Sequence, residues 1–156
     1  MSEITVGTTG IEESLATHGV YASTTRGISM EPLFRTHRDV VIIERPKGDL
    51  KKYDVALYRV KDRYIMHRVI KVKADEYLIR GDNTFYTEHV PKDKILGVLV
   101  EFNRKGKHHS VKERSFVAYS RFWNLIYPIR FLWNLFIRGL KKIYRSLFKR
   151  KKKSQS

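Results

Sequence analysis

The sequence predicts a mainly β domain followed by a basic, amphipathic C-terminal α-helix. Between residues 20 and 103, six short runs rich in β-branched and aromatic residues are separated by Gly, Pro, Asp and Lys. After residue 114 the pattern changes to apolar side chains at helical spacing, interrupted by Arg and Lys. A chain of 156 residues with 42% hydrophobic and 31% charged side chains is typical of one globular domain.

Residues 1–26 are predicted to be a lead-in segment that contains one short helix. The stretch GIEESLATH at 10–18 places Glu12 and Glu13 in a first turn, where acidic side chains favour a helix, and Gly19 follows as a stop. The first residues contain no basic segment followed by an apolar run. We therefore expect neither a cleavable signal nor an N-terminal transmembrane helix.

Residues 27–103 are predicted to form the β domain, with its first strand beginning in the lead-in segment. The six runs are VYASTT, DVVIIER, DVALYRV, YIMHRVIKV, EYLIR and ILGVLVEF. Residues that tolerate tight turns separate several of these runs, as at 46–49, 61–62 and 81–83. The polar stretch RKGKHHSVKER at 104–114 is predicted to be a linker.

Residues 115–156 are predicted to be an amphipathic helix and tail that carry most of the charge excess. The chain has a formal charge of +16, and residues 114–156 contain 12 Lys or Arg and no acidic residue. From residue 130 onward, polar residues recur three, four or seven positions apart, and aromatic and aliphatic residues fill the opposite side. Trp and Phe on that side, with a KRKKK run at 149–153, favour an anionic membrane surface as the partner of residues 115–153. The alternative is that the apolar face packs on the β domain.

A helix over 115–137 would be long enough to cross a membrane, but its composition argues against crossing. Arg121, Pro128 and Arg130 interrupt it, and an arginine near the bilayer centre costs about 2.5–3.5 kcal/mol. We expect a helix that lies in the membrane interface, on the cytoplasmic face because no export signal precedes it. A nucleic-acid partner is the weaker alternative, because nucleic-acid recognition uses polar and stacking groups rather than a continuous apolar helix face.

Ser29 is the first candidate for a catalytic role. It stands in the segment Gly-Ile-Ser-Met-Glu-Pro at 27–32, so its hydroxyl lies on a sharply turned stretch. A serine hydroxyl becomes a useful nucleophile only beside a base and near donors for the developing oxyanion. Taken alone, Ser29 could equally be an ordinary turn residue.

His67 and Asp82 are the candidates for the base and its acidic partner. His67 shares one strand face with Ile65 and Val69, which places the imidazole toward a half-buried surface. Asp82 follows the strand EYLIR at a turn, where a carboxylate could accept a hydrogen bond from the histidine and orient it. The competing interpretations are a hydrogen-bonded strand histidine without catalytic function and an aspartate that caps a turn.

Five segments, taken in order, resemble the successive boxes of the signal peptidase I family: 27–32, 54–58, 64–70, 80–83 and 95–99. The resemblance covers residues 27–101. In the bacterial branch of that family the base is a lysine, whereas His67 stands at that position here, as in the endoplasmic-reticulum and archaeal branch. The resemblance implies that Ser29 is the nucleophile, His67 the general base and Asp82 the acidic partner.

The resemblance also carries expectations about fold, substrate and location. It implies coiled antiparallel β-sheets of the type shared by signal peptidases and LexA-like repressors, with a substrate peptide bound extended beside a strand edge. It implies the outer face of a membrane, in conflict with the cytoplasmic face favoured above. Two features depart from the family: residues 1–26 are too polar for the usual transmembrane helix, and Gly27 stands where many relatives carry a hydroxyl. The backbone amide of Ser29 is therefore the expected oxyanion donor.

The expected activity is endoproteolysis of a precursor peptide at or near a membrane, by a Ser29–His67–Asp82 site. The alternative is a catalytically inactive, membrane-associated peptide-binding module. With no Cys in the chain, thiolate chemistry and disulfides are excluded. The remaining histidines lack a supporting cluster of carboxylates, so no metal ion or cofactor is predicted.

Overall fold

The protein is mainly β, with one antiparallel sheet and helices at both ends of the chain. The structure is a computed structural model that describes residues 3–4 and 10–153. Within them the strands are β1 (Glu3–Ile4), β2 (Val20–Arg26), β3 (Val40–Glu44), β4 (Val55–Val60), β5 (Arg63–Val72), β6 (Glu76–Arg80), β7 (Glu88–Pro91), β8 (Ile95–Arg104) and β9 (Lys107–Ser110). The helices are α1 (Ile11–His18), α2 (Arg114–Leu125) and α3 (Tyr127–Lys153), with a 3₁₀ turn at Lys92–Lys94.

Every strand pairing described is antiparallel, and the strand order is β1-β2-β3-β8-β4-β5-β6-β7, with β9 beside β8. The strand β1 also pairs with β5, so the path from β1 through β2, β3, β8 and β4 to β5 returns to its start. Register shifts interrupt three ladders, at 42–43, 57–58 and 69–71. Such bulges bend strands and increase their twist, which a sheet needs in order to close on itself.

The predicted mainly β class and the C-terminal helix are confirmed, and each of the six predicted runs contains a strand. The hairpin between β4 and β5 turns at Lys61, which has a positive φ of 54°. The predicted lead-in helix is α1, and it ends where expected. Gly19 adopts a left-handed conformation, with φ of 71°, and donates its amide to the carbonyl of Leu15.

Two apolar clusters form the core, one on each side of β4 and β5. The first includes Ile11 of α1, Met66 of β5 and Phe116 of α2, and the second includes Ile65 and Val69 of β5. Because successive strand residues point to opposite faces, His67 lies on the side of the second cluster. The expectation that this strand is half-buried is wrong: residues 65–69 are buried on both faces.

Residues 104–114 were predicted to be a linker but contain β9, which pairs with β8. Lys105 and Gly106 join the two strands, with positive φ values of 52° and 76°, as a tight hairpin turn requires. Lysine and histidine side chains suit a strand at the edge of a sheet, because charged edges discourage pairing with other chains. The polar composition thus reflects an edge strand rather than an irregular linker.

The segment 115–156, predicted to be one amphipathic helix and a tail, contains two helices, α2 and α3, and its last residues, 154–156, lie outside the described part of the chain. Ile126 separates them, and Pro128 explains the break because it has no amide to donate to the carbonyl of Asn124. The chain divides into two compact units, 1–121 and 122–156. The first turns of α2 belong to the first unit, where Phe116 and Ser120 are buried. None of the helices in the described residues combines the length and the apolar character needed to cross a membrane.

Candidate active site

Ser29 and His67 are 38 positions apart in the chain and meet in the structure. Ser29 lies three residues beyond the end of β2, in a turn that Gly27 enters with φ of 83°. His67 stands near the middle of β5. The Oγ atom of Ser29 is 2.8 Å from Nε2 of His67, within the range of a good hydrogen bond between a hydroxyl and an imidazole. Both side chains are buried.

The segment after β6 holds the Ser29 turn in place. The amide of Asn83 donates to the carbonyl of Ser29 at 2.8 Å, and the side-chain amide of Asn83 donates to the carbonyl of Ile28 at 3.2 Å. Gly81, in the same segment, lies close to both Ser29 and His67. A Cβ at Gly81 would be 2.7 Å from the carbonyl oxygen of Ser29 and 2.9 Å from Nε2 of His67. Only glycine fits there, because the Cβ of any other residue would clash with Ser29 and His67.

The second nitrogen of His67 is held by Tyr58 and Glu88. Nδ1 of His67 lies 3.1 Å from the hydroxyl of Tyr58 and 3.8 Å from Oε2 of Glu88. The Tyr58 hydroxyl donates its proton to Glu88, so its oxygen accepts from Nδ1, and Nδ1 must carry the ring proton. Nε2 then presents its lone pair to the Ser29 hydroxyl. This is the arrangement that a general base requires.

The electrostatics of Tyr58 and Glu88 support that direction of hydrogen bonding. Burial raises the pKa of Tyr58 far above its usual value, and the hydrogen bond to Glu88 and its negative charge raise it further. Burial alone would raise the pKa of Glu88, but the hydrogen bonds of His67 and Tyr58, and the positive charge of His67 when it is protonated, outweigh burial and hold the pKa of Glu88 below its usual range. Tyr58 therefore keeps its proton, and Glu88 stays ionised at neutral pH.

Asp82, predicted to orient His67, instead binds Arg68. Its two carboxylate oxygens accept from Nε and Nη2 of Arg68, each at 2.8 Å, and Tyr119 donates to one of them at 3.0 Å. The reason is strand alternation: His67 and Arg68 are consecutive on β5, so their side chains leave opposite faces of the sheet. Asp82 therefore reaches the neighbour of the base, and the prediction that it is the acidic partner of His67 is corrected.

Arg68 is fully buried, and its guanidinium donates hydrogen bonds to neighbouring protein groups. Besides Asp82, it donates from Nη1 to the carbonyl of Tyr53 at 3.0 Å and to the hydroxyl of Ser120 at 2.6 Å. Its guanidinium also lies 5.4 Å from the ring centroid of Phe116. Burial lowers the pKa of Arg68, but the charge and hydrogen bonds of Asp82 outweigh burial and raise it overall. This cluster ties β5, the Asp82 turn and the start of α2 together.

Glu88 is the acidic residue beside His67, and the sequence argument missed it. It stands at the start of β7, opposite Ile79 of β6. The signal for β7 is weak, because Val90 is its one buried apolar residue. Recognising Glu88 from the sequence would have required knowing that β7 pairs with β6, which brings it toward β5.

Three of the other histidines, His89, His108 and His109, lie beside acidic side chains in their own neighbourhoods. Nδ1 of His89 is 3.0 Å from Glu76, and Nδ1 of His109 is 3.0 Å from Glu113. In the part of the chain that the structure describes, no group of three or more His, Cys, Asp or Glu side chains is placed to hold a metal ion.

No family model matches the chain, and no curated protein matches it either.

Proposed function

We propose that the protein is a serine endopeptidase of the signal-peptidase type, which cleaves an extended precursor peptide at or near a membrane surface. The observation that carries this proposal is the 2.8 Å contact between Oγ of Ser29 and Nε2 of His67. The anchoring of the other ring nitrogen by Tyr58 fixes the tautomer in which Nε2 can accept a proton. The antiparallel sheet that returns on itself is compatible with the coiled fold of the signal-peptidase and LexA-like type.

The proposed reaction is acyl transfer to Ser29. Nε2 of His67 takes the hydroxyl proton while Oγ attacks the peptide carbonyl carbon, and the resulting imidazolium gives that proton to the leaving amine. His67 then takes a proton from a water molecule as the water oxygen attacks the acyl carbonyl carbon, and it returns that proton to Oγ of Ser29 as the acid product leaves. The hydroxyl of Tyr58 and the carboxylate of Glu88 stabilise the positive imidazolium in each half-reaction. The Ser29 backbone amide remains the predicted oxyanion donor.

In this mechanism Asp82 has a positioning role. Its ion pair with Arg68 holds the residue next to the base and fixes the turn from which Gly81 and Asn83 contact the Ser29 segment. A positioning role predicts that replacing Asp82 affects stability more directly than the chemical step.

Labelling and turnover with matched serine variants test the proposal. The full chain is treated with a fluorophosphonate probe and with internally quenched peptides that have small residues before the cleavable bond. Ser29→Ala should abolish labelling and lower turnover by about 10³-fold or more. Ser23→Ala, on β2, is the matched control and should leave both unchanged. Full turnover by Ser29→Ala would refute the proposal, and neither labelling nor turnover in wild type would favour an inactive peptide-binding module.

The association with a membrane is proposed from α3. In the described part of this helix, seven apolar side chains are each between 47% and 70% exposed: Ile129, Leu132, Trp133, Leu135, Phe136, Leu140 and Tyr144. All but Leu135 are spaced as one helix face. The polar residues alternate with this face at helical spacing, and the helix contains no acidic residue. An exposed apolar stripe flanked by cations is complementary to an anionic bilayer surface, and each Lys or Arg near such a surface contributes about 1 kcal/mol.

Vesicle binding by the wild type and by two variants, with glutamate on the apolar side or on the polar side of α3, tests this association. The full chain should sediment with vesicles of acidic phospholipid and much less with vesicles of phosphatidylcholine. Trp133→Glu with Phe136→Glu should abolish binding, whereas Asn134→Glu on the polar side should reduce it only modestly. Equal binding of all three proteins would refute the membrane surface, and binding competed by DNA but not by lipid would favour the nucleic-acid alternative.

A further inference from the structure

The short strand β1 lies between two strands that are not otherwise neighbours in the sheet. Its residues Glu3 and Ile4 pair with Arg26 and Thr25 of β2, and Glu3 also pairs with Ile65 of β5. Elsewhere β2 pairs with β3, and β5 pairs with β4 and β6. A two-residue segment thus fills the space between two sheet edges.

These two edges are the ones that lead to the candidate catalytic pair. Arg26 is three residues before Ser29, and Ile65 is two residues before His67. The backbone of Glu3 is therefore bonded between the strand that carries the nucleophile and the strand that carries the base. An extended peptide that paired with the same two strand edges would lie within a few residues of Ser29 and His67.

The pairing pattern leaves room for a strand at this place. Residues 63–68 of β5 pair with β4 on one side, and the pairing of β5 with β6 begins only at Arg68. The second edge of residues 63–67 therefore faces β1, as does the outer edge of the end of β2. Unpaired edges of this kind bind extended peptides by main-chain hydrogen bonds.

Burial of the catalytic pair points to the same conclusion. Ser29 is 2% exposed and His67 is fully buried. A hydroxyl with so little exposure has to be uncovered before a peptide bond can contact it. Catalysis therefore requires a rearrangement near Ser29, and β1 is a short segment that pairs with both strands leading to Ser29 and His67.

We propose that β1 is an intramolecular occupant of the peptide-binding cleft, so that the enzyme is inhibited until the N-terminal segment leaves. This regulation rests on the endopeptidase function proposed above. Because β1 is joined to α1 by a short connection, its effective concentration at the cleft is high, on the order of millimolar. Because β1 pairs over two residues in the part of the chain that the structure describes, a substrate that forms a longer strand displaces it.

A reversible cross-link tests the proposal in the full chain. The chain contains no cysteine, so Glu3→Cys with Arg26→Cys introduces a single pair at positions that face each other across the strands. Directly opposed residues of antiparallel strands have Cα atoms about 4.5–5.5 Å apart, within the range of a disulfide. Oxidation should lower peptide hydrolysis at least tenfold, and reduction should restore it. Arg26→Cys alone, oxidised in the same way, is the control.

A variant that releases β1 should show the opposite effect. Ile4→Pro removes one amide from the two-residue strand and disfavours its pairing. We expect its kcat/KM for a peptide substrate to rise about tenfold, and we expect a synthetic peptide of residues 1–9, added in trans, to reverse the gain. Unchanged hydrolysis in both the cross-linked protein and Ile4→Pro would overturn the proposal.

A binding measurement separates this proposal from the proposed function. In a Ser29→Ala background, a fluorescent peptide of residues 1–9 is titrated and its anisotropy measured. Tighter binding to Ile4→Pro, and loss of binding in the oxidised Glu3→Cys/Arg26→Cys protein, would support an occupied cleft even if no variant hydrolyses a peptide. Equal binding to the oxidised and reduced proteins would overturn the occupied cleft, whatever the activity.

Discussion

The two faces of β5 carry two buried polar residues, His67 and Arg68, with opposite chemistry. Both are fully buried. Arg68 is a permanent cation whose charge is matched by Asp82 in a two-point ion pair. His67 forms a chain of hydrogen bonds from Ser29 to Tyr58, with Glu88 beyond. One site satisfies a fixed charge, whereas the other holds a lone pair against a hydroxyl.

Burial of a polar side chain therefore does not by itself identify a catalytic residue. A buried ion pair restrains the fold, and breaking it leaves an uncompensated charge. A base needs instead a neutral nitrogen beside the group that it deprotonates, with its other nitrogen anchored. Consecutive residues of one strand meet these two requirements on opposite faces of the sheet.

The largest expected effect is the loss of the base. His67→Gln should lower kcat by about 10⁴–10⁶-fold, because no group remains to accept the Ser29 proton. The measurement is steady-state hydrolysis of a quenched peptide, with circular dichroism to verify folding. His89→Gln is the matched control, since His89 pairs with Glu76 at the surface and should leave kcat unchanged. A folded His67→Gln protein with wild-type turnover would exclude the proposed base.

On the opposite face, Asp82→Asn should chiefly reduce stability. Removing one partner of a buried ion pair costs about 3–5 kcal/mol, because Arg68 then keeps an uncompensated charge. Denaturant unfolding measures this loss, and the double variant Arg68→Met/Asp82→Leu should recover part of it. If Asp82→Asn keeps wild-type stability but loses all turnover, Asp82 acts in the chemistry after all.

Gly81→Ala acts where the hydrogen bonds of His67 and the ion pair of Asp82 lie closest together in the chain. The added methyl group would lie 2.7 Å from the carbonyl of Ser29 and 2.9 Å from Nε2 of His67. Displacing either group should lower kcat by about 10²-fold, at a cost in stability of about 1–3 kcal/mol. Gly139→Ala is a control for general effects of removing glycine, because nothing lies within 4 Å of its Cβ position and it stands in a helix rather than at a positive φ. Wild-type kcat in Gly81→Ala would show that this contact does not position the pair.

A fall in kcat of similar size is expected from Glu88→Gln, which keeps the shape of the side chain and removes its charge. We expect kcat to fall by about 10²-fold, because the imidazolium loses its nearby anion, and KM to change little. Glu76→Gln, at an exposed position, is the control. A fall in KM without any change in kcat would contradict the proposed role of Glu88.

The same variant gives a pH-dependent effect on stability. The pKa of Glu88 is lower in the folded protein than its usual value of 4.5. A depressed folded pKa stabilises the protein at pH values above the unfolded pKa, and the contribution is lost as the pH falls through the folded pKa. The difference in unfolding free energy between wild type and Glu88→Gln should therefore be constant near neutral pH and shrink below about pH 4.5. A constant difference down to pH 2 would contradict the lowered pKa.

The strands were predictable because their apolar runs and turn residues are local signals. Residues 64–70 and 76–80 show such runs, and both contain strands in the structure. The strands β7 and β9 were missed because each is short and has few buried apolar side chains. Their places depend on pairing with β6 and β8, and pairing between segments cannot be read from either segment alone.

The candidate site, like the sheet, was predictable only in part. The order of the motifs singled out Ser29 and His67, and the structure brings them within 2.8 Å, whereas their catalytic role remains a prediction. Asp82 was assigned to the wrong partner because the motif suggests that it lies near His67 but does not show on which face of β5 it lies. It lies on the face of Arg68. Glu88 had no motif of its own.

By itself, the sequence determined the mainly β class, the amphipathic basic C-terminus and the two side chains between which a proton could move. These follow from local periodicity, charge and residue chemistry. The tertiary structure decided which carboxylate faces the imidazole, that Gly81 must lack a side chain, and that β1 lies between the strands of the pair. Those features depend on strand order and register, which are set by the packing of segments far apart in the chain.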